Sequence, residues 1–389
     1  MNGLLEDARS LELDRLRHDV HDHPETGLHL PRTQQAVLGA LDGLGLELRT
    51  GTALTSVVGV VSGARPGPTV LLRADLDALP FPDGPRHACG HDQHAAMLVG
   101  AAYLLAARRD RFAGDVLLMF QPGEEGHDGA RLMLEEGLLD TTGSRPVAAY
   151  ALHSSASAPA GQFSNTAGPA LAANGTLTVT FHGAGGHGAW PHRARDPIPA
   201  VAELVTALSA VPARRFDPFD PVVLTVGSVH AGTRPNIVPA QARIEATLRA
   251  LSDDTLARLA AVAERIAHGI GAAHDLEVRA EYTAGYPATV NDGAEADLVG
   301  AAVADLFGAA RFLRGGRPAL VSDDIGRVLA EIPGVMTGLG ACPPGRDPAT
   351  APGNHAPDAA FDDSVLPDGA ALLAEVALRR LAAADPAAG

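Results

Sequence analysis

Lysine is absent from the sequence, so arginine supplies all 30 basic residues against 46 acidic ones, and the formal net charge is −16. Affinity for a phosphate backbone depends on lysine and arginine to neutralise phosphates, and the balance here argues against a nucleic-acid partner. Any fixed positive charge in a substrate pocket must therefore come from arginine, protonated histidine or a metal ion.

Cysteine, aromatic residues and long apolar runs are also scarce. Cys89 and Cys342 are the two cysteines, too few for a disulfide scaffold, so we expect a reducing, cytoplasmic location. No window approaches the ~18 apolar residues of a membrane span. The acidic start lacks the basic leader and apolar core of a signal peptide. We expect no membrane association.

The chain, at 389 residues, is longer than one hydrophobic core usually supports. Its opening stretch predicts one helix that ends near His23. Alternating helix and strand patterns follow to about residue 171, as in βαβ units, and return after residue 285. The segment between them has the order βαββαβ, a two-layer α+β unit. We predict an α/β domain formed by residues 1–171 and 285–389, interrupted by an inserted domain over residues 172–284.

Carboxylates and imidazoles stand where apparent parallel strands end. Enzymes of the α/β class build their sites outside the carboxyl ends of such strands, so a metal site is the economical explanation. The residues are Asp75 and Asp77 in LLRADLDALP, Glu124 and Glu125 in MFQPGEEG, His153 in AAYALH, the stretch HACGHDQHAA at 87–96, and the histidine of GNHAP at 353–357.

Cys89 and His91 supply a thiolate and an imidazole two positions apart, which suits Zn²⁺, Mn²⁺ or Co²⁺ better than Mg²⁺ or Ca²⁺. Of the two adjacent glutamates, one can bind a metal and the other can act as general base on water. His87 and His94 fit packing or helix-end histidines equally well. A nucleophilic Cys89 with His91 or His94 as its base is a rival explanation.

Motifs along nearly the whole chain resemble the dinuclear-metal amidohydrolases of the aminoacylase and carboxypeptidase G superfamily, in the branch of hippurate hydrolases and auxin-conjugate hydrolases. The motifs are RHDVHDHPETG, LLRADLDALP, HACGHDQHAAMLVGAA, MFQPGEEGHDGARLMLEEGLLD, ALHSS, GAGGHGAWPHRARDP, TRPNIVPAQARIEATLR, YPATVND, VSDDIG and GNHAPDAAFDD. The resemblance implies a metallopeptidase-type catalytic domain with a mixed, largely parallel sheet flanked by helices. It also implies that the inserted domain is a lid that mediates homodimerisation.

The resemblance assigns roles to individual residues. It implies two divalent metal ions per chain, Mn²⁺, Zn²⁺ or Co²⁺, and makes Glu124 the general base. Asp77 matches an acidic residue that orients a neighbouring site group. Asp75 lies where other branches carry a metal-binding histidine. We expect it to hydrogen-bond to a metal ligand and not to bind the metal itself. The implied metal ligands are Cys89, His91, Glu125, His153 and His355.

In the inserted domain, GGHGAWPH matches the lid motif of the family. Its first histidine, His187, is expected to stabilise the developing oxyanion, often in the partner subunit's site. Asn236 and Arg249 fall where relatives hold the substrate carboxylate. Arg234 is the alternative carboxylate partner, because no lysine is available.

The sequence therefore predicts a metal-dependent amidohydrolase that cleaves the amide bond of N-acyl amino acids or related conjugates. Carboxypeptidase or dipeptidase activity on the same site and a non-catalytic homologue are the alternatives. Asp323, Ile325 and Ala356 depart from the branch's usual residues, and the first two lie in a segment that lines the pocket in relatives. These departures bear on specificity.

Overall fold

The computed structural model describes residues 3–384 of the chain. The helices are α1 Leu4–Arg9, α2 Leu13–Asp22, α3 Pro31–Leu41, α4 His91–Ala106, α5 Gly129–Glu135, α6 Pro197–Arg215, α7 Asp253–Ala273, α8 Gly293–Phe307, α9 Ile325–Leu329 and α10 Leu366–Ala384. The strands are β1 Glu47–Thr50, β2 Val57–Ser62, β3 Arg65–Asp75, β4 Ala113–Gln121, β5 Ala148–Ser155, β6 Phe163–Asn165, β7 Gly168–Leu171, β8 Ala173–His182, β9 Gly186–His187, β10 Val222–Ala231, β11 Ile237–Val238, β12 Gln241–Ala250, β13 Glu277–Ala284, β14 Thr289–Asn291, β15 Phe312–Arg314 and β16 Gly334–Gly340.

The chain forms two compact units. The first comprises the chain up to Gly168, Val290–Arg317 and the chain from Asp324 onward, and the second comprises Pro169–Thr289 and Pro318–Asp323. The chain passes from the first unit to the second after Gly168 and returns after Thr289, where the sequence placed the boundaries after residues 171 and 284. The segment Pro318–Asp323 was expected in the catalytic domain. It groups with the second unit because its backbone pairs with the segment before β8, through Ala319 to Ala170 and Ala172 to Val321.

An eight-stranded sheet organises the first unit, with strand order β1-β2-β4-β3-β5-β16-β6-β15. The central pairs β4-β3, β3-β5 and β5-β16 are parallel. The pairs β1-β2, β2-β4 and β16-β6 are antiparallel. The prediction of a mixed, largely parallel sheet flanked by helices is confirmed. The side chains of β3 are buried continuously from Val70 to Asp75, as expected of a strand covered on both faces.

Helix α4 positions the stretch HACGHDQHAA (residues 87–96), the cysteine motif, beside this sheet. Nearly all of its residues are buried, because it packs against β3, α2 and α10. It begins directly after Gly90, whose φ of 86° lies in the left-handed region that glycine adopts without strain. The tight turn before α4 therefore carries Cys89, and His91 is the first residue of the helix.

The opening segment differs from the prediction of one helix. It forms α1 and α2, which are separated at Ser10–Glu12. The amide of Ser10 bonds to the carbonyl of Asp7, and its hydroxyl does the same at 2.6 Å, which closes α1 at that point. Serine side chains compete with helical hydrogen bonds in this way.

The second unit has the predicted βαββαβ order in its main elements β8, α6, β10, β12, α7 and β13. Its four-stranded antiparallel sheet has the order β10-β12-β8-β13. Helices α6 and α7 pack on one face, around a core that includes Leu177, Leu204 and Leu259. Among residues 3–384, no helix is long and apolar enough to cross a membrane.

Candidate metal centre

Asp77 joins the ends of β3 and β4 at the edge of the large sheet. Its carboxylate accepts the backbone N–H of Glu124 at 2.9 Å and that of Glu125 at 3.0 Å. Its backbone carbonyl accepts the Nδ1–H of His91 at 2.8 Å. One aspartate therefore fixes both the glutamate turn and the His91 ring, which is the contact pattern expected of a residue that orients its neighbours.

The five predicted ligands fall into two groups that share Cys89. Cys89, His91 and His153 form one group, and Cys89, Glu125 and His355 form the other; within each, the potential ligand atoms lie within 4.8 Å of one another. The Cys89 Sγ lies 3.5 Å from the His153 Nε2, and the His355 Nε2 lies 3.3 Å from a Glu125 carboxylate oxygen. Glu124 forms a further group with His91 and Glu125 and is itself buried.

Hydrogen bonds hold two of these imidazoles in the tautomer that suits metal binding. Because the His91 Nδ1 donates to the Asp77 carbonyl, its Nε2 carries the lone pair, and this buried atom has no hydrogen-bond partner among the described residues. The His153 Nδ1 likewise donates to the Ser154 carbonyl at 3.0 Å, and its Nε2 faces the Cys89 sulfur. Bonds of this kind fix ring orientation in metal-binding histidines.

The electrostatics of the cluster favour bound positive charge. Burial acts to raise the pKa of the Cys89 thiol, but the charges of His153 and His91 hold it well below its usual range. Hydrogen bonds to Cys89 and Glu125 raise the pKa of His355 to about 10. Metal binding requires a deprotonated sulfur and neutral imidazoles. A cysteine whose pKa is lowered, beside imidazole and carboxylate groups, therefore fits a metal centre.

Asn354 is a site residue that sequence reasoning missed. Its side-chain N–H₂ donates to the Ser154 carbonyl at 2.8 Å and to the Cys89 carbonyl at 3.1 Å, and its oxygen accepts the Ala156 N–H at 2.9 Å. The next residue, His355, has a φ of 70°, a left-handed conformation that is strained for a non-glycine residue. Asn354 therefore connects this strained turn both to β5 and to the turn that carries Cys89. Its place beside His355 in GNHAP was the available signal.

The two outer histidines of the cysteine motif differ in their contacts. His94 is buried and bonded at both ring nitrogens, through Nδ1 to Asp75 at 2.5 Å and through Nε2 to the Ser154 N–H at 2.8 Å. It therefore has no nitrogen available to act as a base for Cys89. His87 is also buried, neither of its nitrogens has a hydrogen-bond partner among residues 3–384, and burial lowers its pKa to about 4.

The predicted oxyanion residue lies in the second unit. His187 is exposed on β9, which pairs with β11. Its Nδ1 accepts the Ala189 N–H at 3.1 Å, so the neutral ring carries its proton on Nε2 and can donate from there. The ring centroid lies 5.3 Å from that of Trp190.

The predicted carboxylate-binding residues also lie in the second unit. Asn236 is exposed, and its carbonyl accepts the Gly188 N–H at 2.9 Å. The Arg249 guanidinium donates to the Leu320 carbonyl at 2.8 Å and to the Ser322 hydroxyl at 3.2 Å. Arg234 instead lines a cleft of about 530 Å³. Part of Arg249's donor capacity is therefore used within the unit, whereas Arg234 borders open space.

Of the residues that depart from the branch's usual pattern, Ile325 is fully buried at the start of α9 and Asp323 is also buried. The backbone N–H of Ala356 bonds to the Gly353 carbonyl at 3.1 Å, within the turn that carries His355.

A mixed α/β sheet whose edge gathers a cysteine, imidazoles and paired glutamates suits a metal-dependent hydrolase. The chain belongs to peptidase family M20/M25/M40, whose model matches residues 71–379. The resemblance and the prediction of a hydrolase of this family are thereby confirmed.

Named relatives extend over most of the chain. It is 33% identical over 354 residues to thermostable carboxypeptidase 1 of Saccharolobus solfataricus, which covers 87% of this chain and 88% of the relative. It is 34% identical over 397 residues to IAA-amino acid hydrolase ILR1-like 2 of Arabidopsis thaliana, with coverage of 97% and 88%. Among solved structures, the YXEP protein of Bacillus subtilis, described as a dinuclear metal binding peptidase of the M20 family, superposes with a TM-score of 0.82 at 27% identity, covering 97% of this chain and 98% of that one.

Proposed function

We propose that this protein hydrolyses the amide bond of N-acyl amino acids or related amino-acid conjugates. The observation that carries the proposal is the pair of ligand groups that share Cys89, with the buried carboxylate of Glu124 beside them. The metal ligands are Cys89, His91, Glu125, His153 and His355. The similarity to an IAA-amino acid hydrolase and to a dinuclear metal peptidase supports the same assignment.

Cys89, His91, Glu125, His153 and His355 would hold two divalent ions, which when bound would supply Lewis acidity to a carbonyl and lower the pKa of water. Glu124 takes the proton of the attacking water and returns it to the leaving amine. Asp77 keeps Glu124 in place through the backbone N–H it accepts. His187 donates its Nε2–H to the oxygen on which negative charge develops. Asn236 and either Arg249 or Arg234 hold the substrate carboxylate.

The further parts of the proposal are a homodimer formed through the inserted unit, a cytoplasmic setting, and Mn²⁺, Zn²⁺ or Co²⁺ as the metal. A complementation experiment tests the dimer and the reach of His187 together. Chains with Glu124→Gln are mixed with chains with His187→Ala under conditions that exchange subunits. Activity well above the sum of the separate variants is expected if His187 serves the partner's site, and no gain assigns it to its own chain.

Carboxypeptidase activity is the second candidate, because a carboxypeptidase is among the relatives of similar identity. A substrate panel after loading each metal separates the two. We expect N-acetyl, N-benzoyl and longer acyl amino acids to turn over faster than dipeptides. Faster cleavage of dipeptides would favour the peptidase. No turnover on the whole panel with any of the three metals would support a non-catalytic homologue.

Chelation and alkylation separate the metal mechanism from a cysteine nucleophile. Under the metal mechanism, a chelator abolishes activity and added metal restores it, and bound metal protects Cys89 from alkylation. Activity that survives the chelator and is lost on alkylation would instead support the nucleophile.

A further inference from the structure

His94 connects two strands of the large sheet. Its Nδ1 donates to a carboxylate oxygen of Asp75 at 2.5 Å, at the end of β3. Its Nε2 accepts the backbone N–H of Ser154 at 2.8 Å, near the end of β5. A neutral imidazole has one donor nitrogen and one acceptor nitrogen, and here each has a matching partner.

The His94 ring also lies beside the rings of two proposed ligands. Its centroid is 5.4 Å from that of His91 and 5.0 Å from that of His153, while those two centroids lie 6.3 Å apart. His153 immediately precedes Ser154, and the second Asp75 oxygen lies 3.6 Å from the His91 Nε2. The two partners of His94 therefore adjoin the two ligands.

A buried ionic network fixes the Asp75 end of this connection. The Arg73 guanidinium donates to Asp75 at 2.7 Å and to Asp324 at 3.0 Å. The Asp324 carboxylate also accepts from the Gln121 amide at 2.7 and 2.8 Å and from the Ala130 N–H at 2.9 Å. Arg73 is only 2% exposed, and Asp75 and Asp324 are fully buried. A buried charge pair with this many partners holds its members in one geometry.

We propose that His94 is a positioning residue that sets the separation of the His91 and His153 imidazoles by bonding Asp75 on β3 and the Ser154 amide on β5. The proposal rests on the proposed metal centre, because His91 and His153 must be ligands for their separation to matter. Arg73 and Asp324 hold the Asp75 end. The role is distinct from metal binding, since both nitrogens of His94 are already bonded.

Three substitutions of His94 test its two hydrogen bonds separately and together. In His94→Asn the side-chain amide lies near the original Nδ1 and retains a donor to Asp75. In His94→Gln the amide oxygen lies near the original Nε2 and retains an acceptor for Ser154. His94→Leu fills the space without either bond. The full-length chains are titrated with Co²⁺, and the visible absorption of the bound ion, including the thiolate-to-cobalt band of Cys89, is recorded together with the melting temperature of the metal-free chain.

We expect His94→Leu to weaken Co²⁺ binding by about tenfold to a hundredfold, the usual effect of losing a group that orients a ligand. His94→Asn and His94→Gln should each show a smaller loss, and all three should change the cobalt spectrum at saturation. His87→Leu is the matched control, because His87 is as buried and belongs to the same motif, but its ring nitrogens have no hydrogen-bond partner among residues 3–384. It should leave the spectrum unchanged.

Spectra and affinities of the His94 variants that equal those of the unsubstituted protein would overturn the proposal. So would an equal effect of His87→Leu, which would show that any buried histidine matters in the same way. The melting temperatures identify a variant that fails to fold, and in that case the Asn and Gln variants decide. A Cys89→Ser chain tests the centre separately: if its cobalt spectrum equals that of the unsubstituted protein, the ligand set itself is wrong.

Discussion

The candidate metal centre and the candidate substrate residues are built in contrasting ways. In the first unit, His91 and Asp75 are fully buried. His91 is hydrogen-bonded to the Asp77 carbonyl, and Asp75 accepts hydrogen bonds from Arg73 and His94. In the second unit, His187, Asn236 and Arg234 are exposed, and Trp190 beside His187 is 53% exposed. The first region buries these side chains among hydrogen-bond partners, and the second presents its side chains to solvent.

The contrast follows from the chemistry each region is proposed to perform. Metal ligands must stand at fixed separations, and hydrogen bonds from neighbouring groups provide this. Residues that contact a substrate must let it enter and leave, so they stay accessible. Substitutions in the first unit should therefore change metal binding or proton transfer, whereas those in the second should change turnover while the metals stay bound.

Replacing the proposed base should have the largest effect. Glu124→Gln keeps the shape of the side chain but cannot take a proton, so kcat should fall by about 10²- to 10⁴-fold. The metal content should stay at two ions per chain, measured by elemental analysis. Glu135→Gln, on the exposed surface of α5, is the control and should retain full activity. Near-normal turnover of Glu124→Gln with metal bound would exclude this mechanism.

Replacing the exposed His187 should lower turnover and leave the metal centre unchanged. His187→Ala should lower kcat by about 10²- to 10³-fold, the usual effect of losing an oxyanion donor. The cobalt spectrum of the metal centre should not change. His268→Ala, at an exposed position of α7 in the same unit, should leave both quantities unchanged. A changed cobalt spectrum in His187→Ala would show that the two regions are not independent.

Replacing Asn354, which holds the turn of His355, should have a smaller effect in the first unit. Asn354→Ala removes the bonds to Cys89, Ser154 and Ala156, so the left-handed turn loses its support. Metal affinity should weaken by about tenfold, measured by competition with a chromophoric chelator. Unaltered affinity would show that the fold holds His355 without Asn354.

The turn that carries the two glutamates should be sensitive to one added methyl group. Gly123 has a φ of 76°, and a Cβ there would lie 2.5 Å from the Leu28 side chain. Gly126 has a φ of 83° with open space around it. We expect Gly126→Ala to lower the free energy of unfolding by about 1 kcal/mol and Gly123→Ala by about 2 kcal/mol, measured by urea denaturation. Equal losses would show that Leu28 moves aside without cost.

The sequence predicted the features that are local in the chain. The carboxylates and His153 at strand ends were visible from the apolar runs before them, and the βαββαβ order was visible from periodicity. The assignment of His355 came from the resemblance, because no local pattern connects it to residues more than 200 positions away.

Contacts formed only by tertiary packing could not be predicted. The two hydrogen bonds of His94 require that β3 and β5 be neighbours. The Arg73–Asp324 ion pair joins residues far apart in the chain. An arginine within the otherwise apolar run of β3 was a usable signal, since a buried charge needs a partner. It did not identify that partner. The grouping of Pro318–Asp323 with the second unit likewise depends on backbone pairing that its composition does not encode.

The most direct test of the account is a crystal structure of the metal-loaded protein with anomalous scattering measured at the absorption edge of the metal. We expect two anomalous peaks per chain, one among Cys89, His91 and His153 and the other among Cys89, Glu125 and His355. With zinc, a sulfur–metal distance of about 2.3 Å to Cys89 is expected. A single peak, or peaks that exclude Cys89, would contradict the shared-thiolate centre.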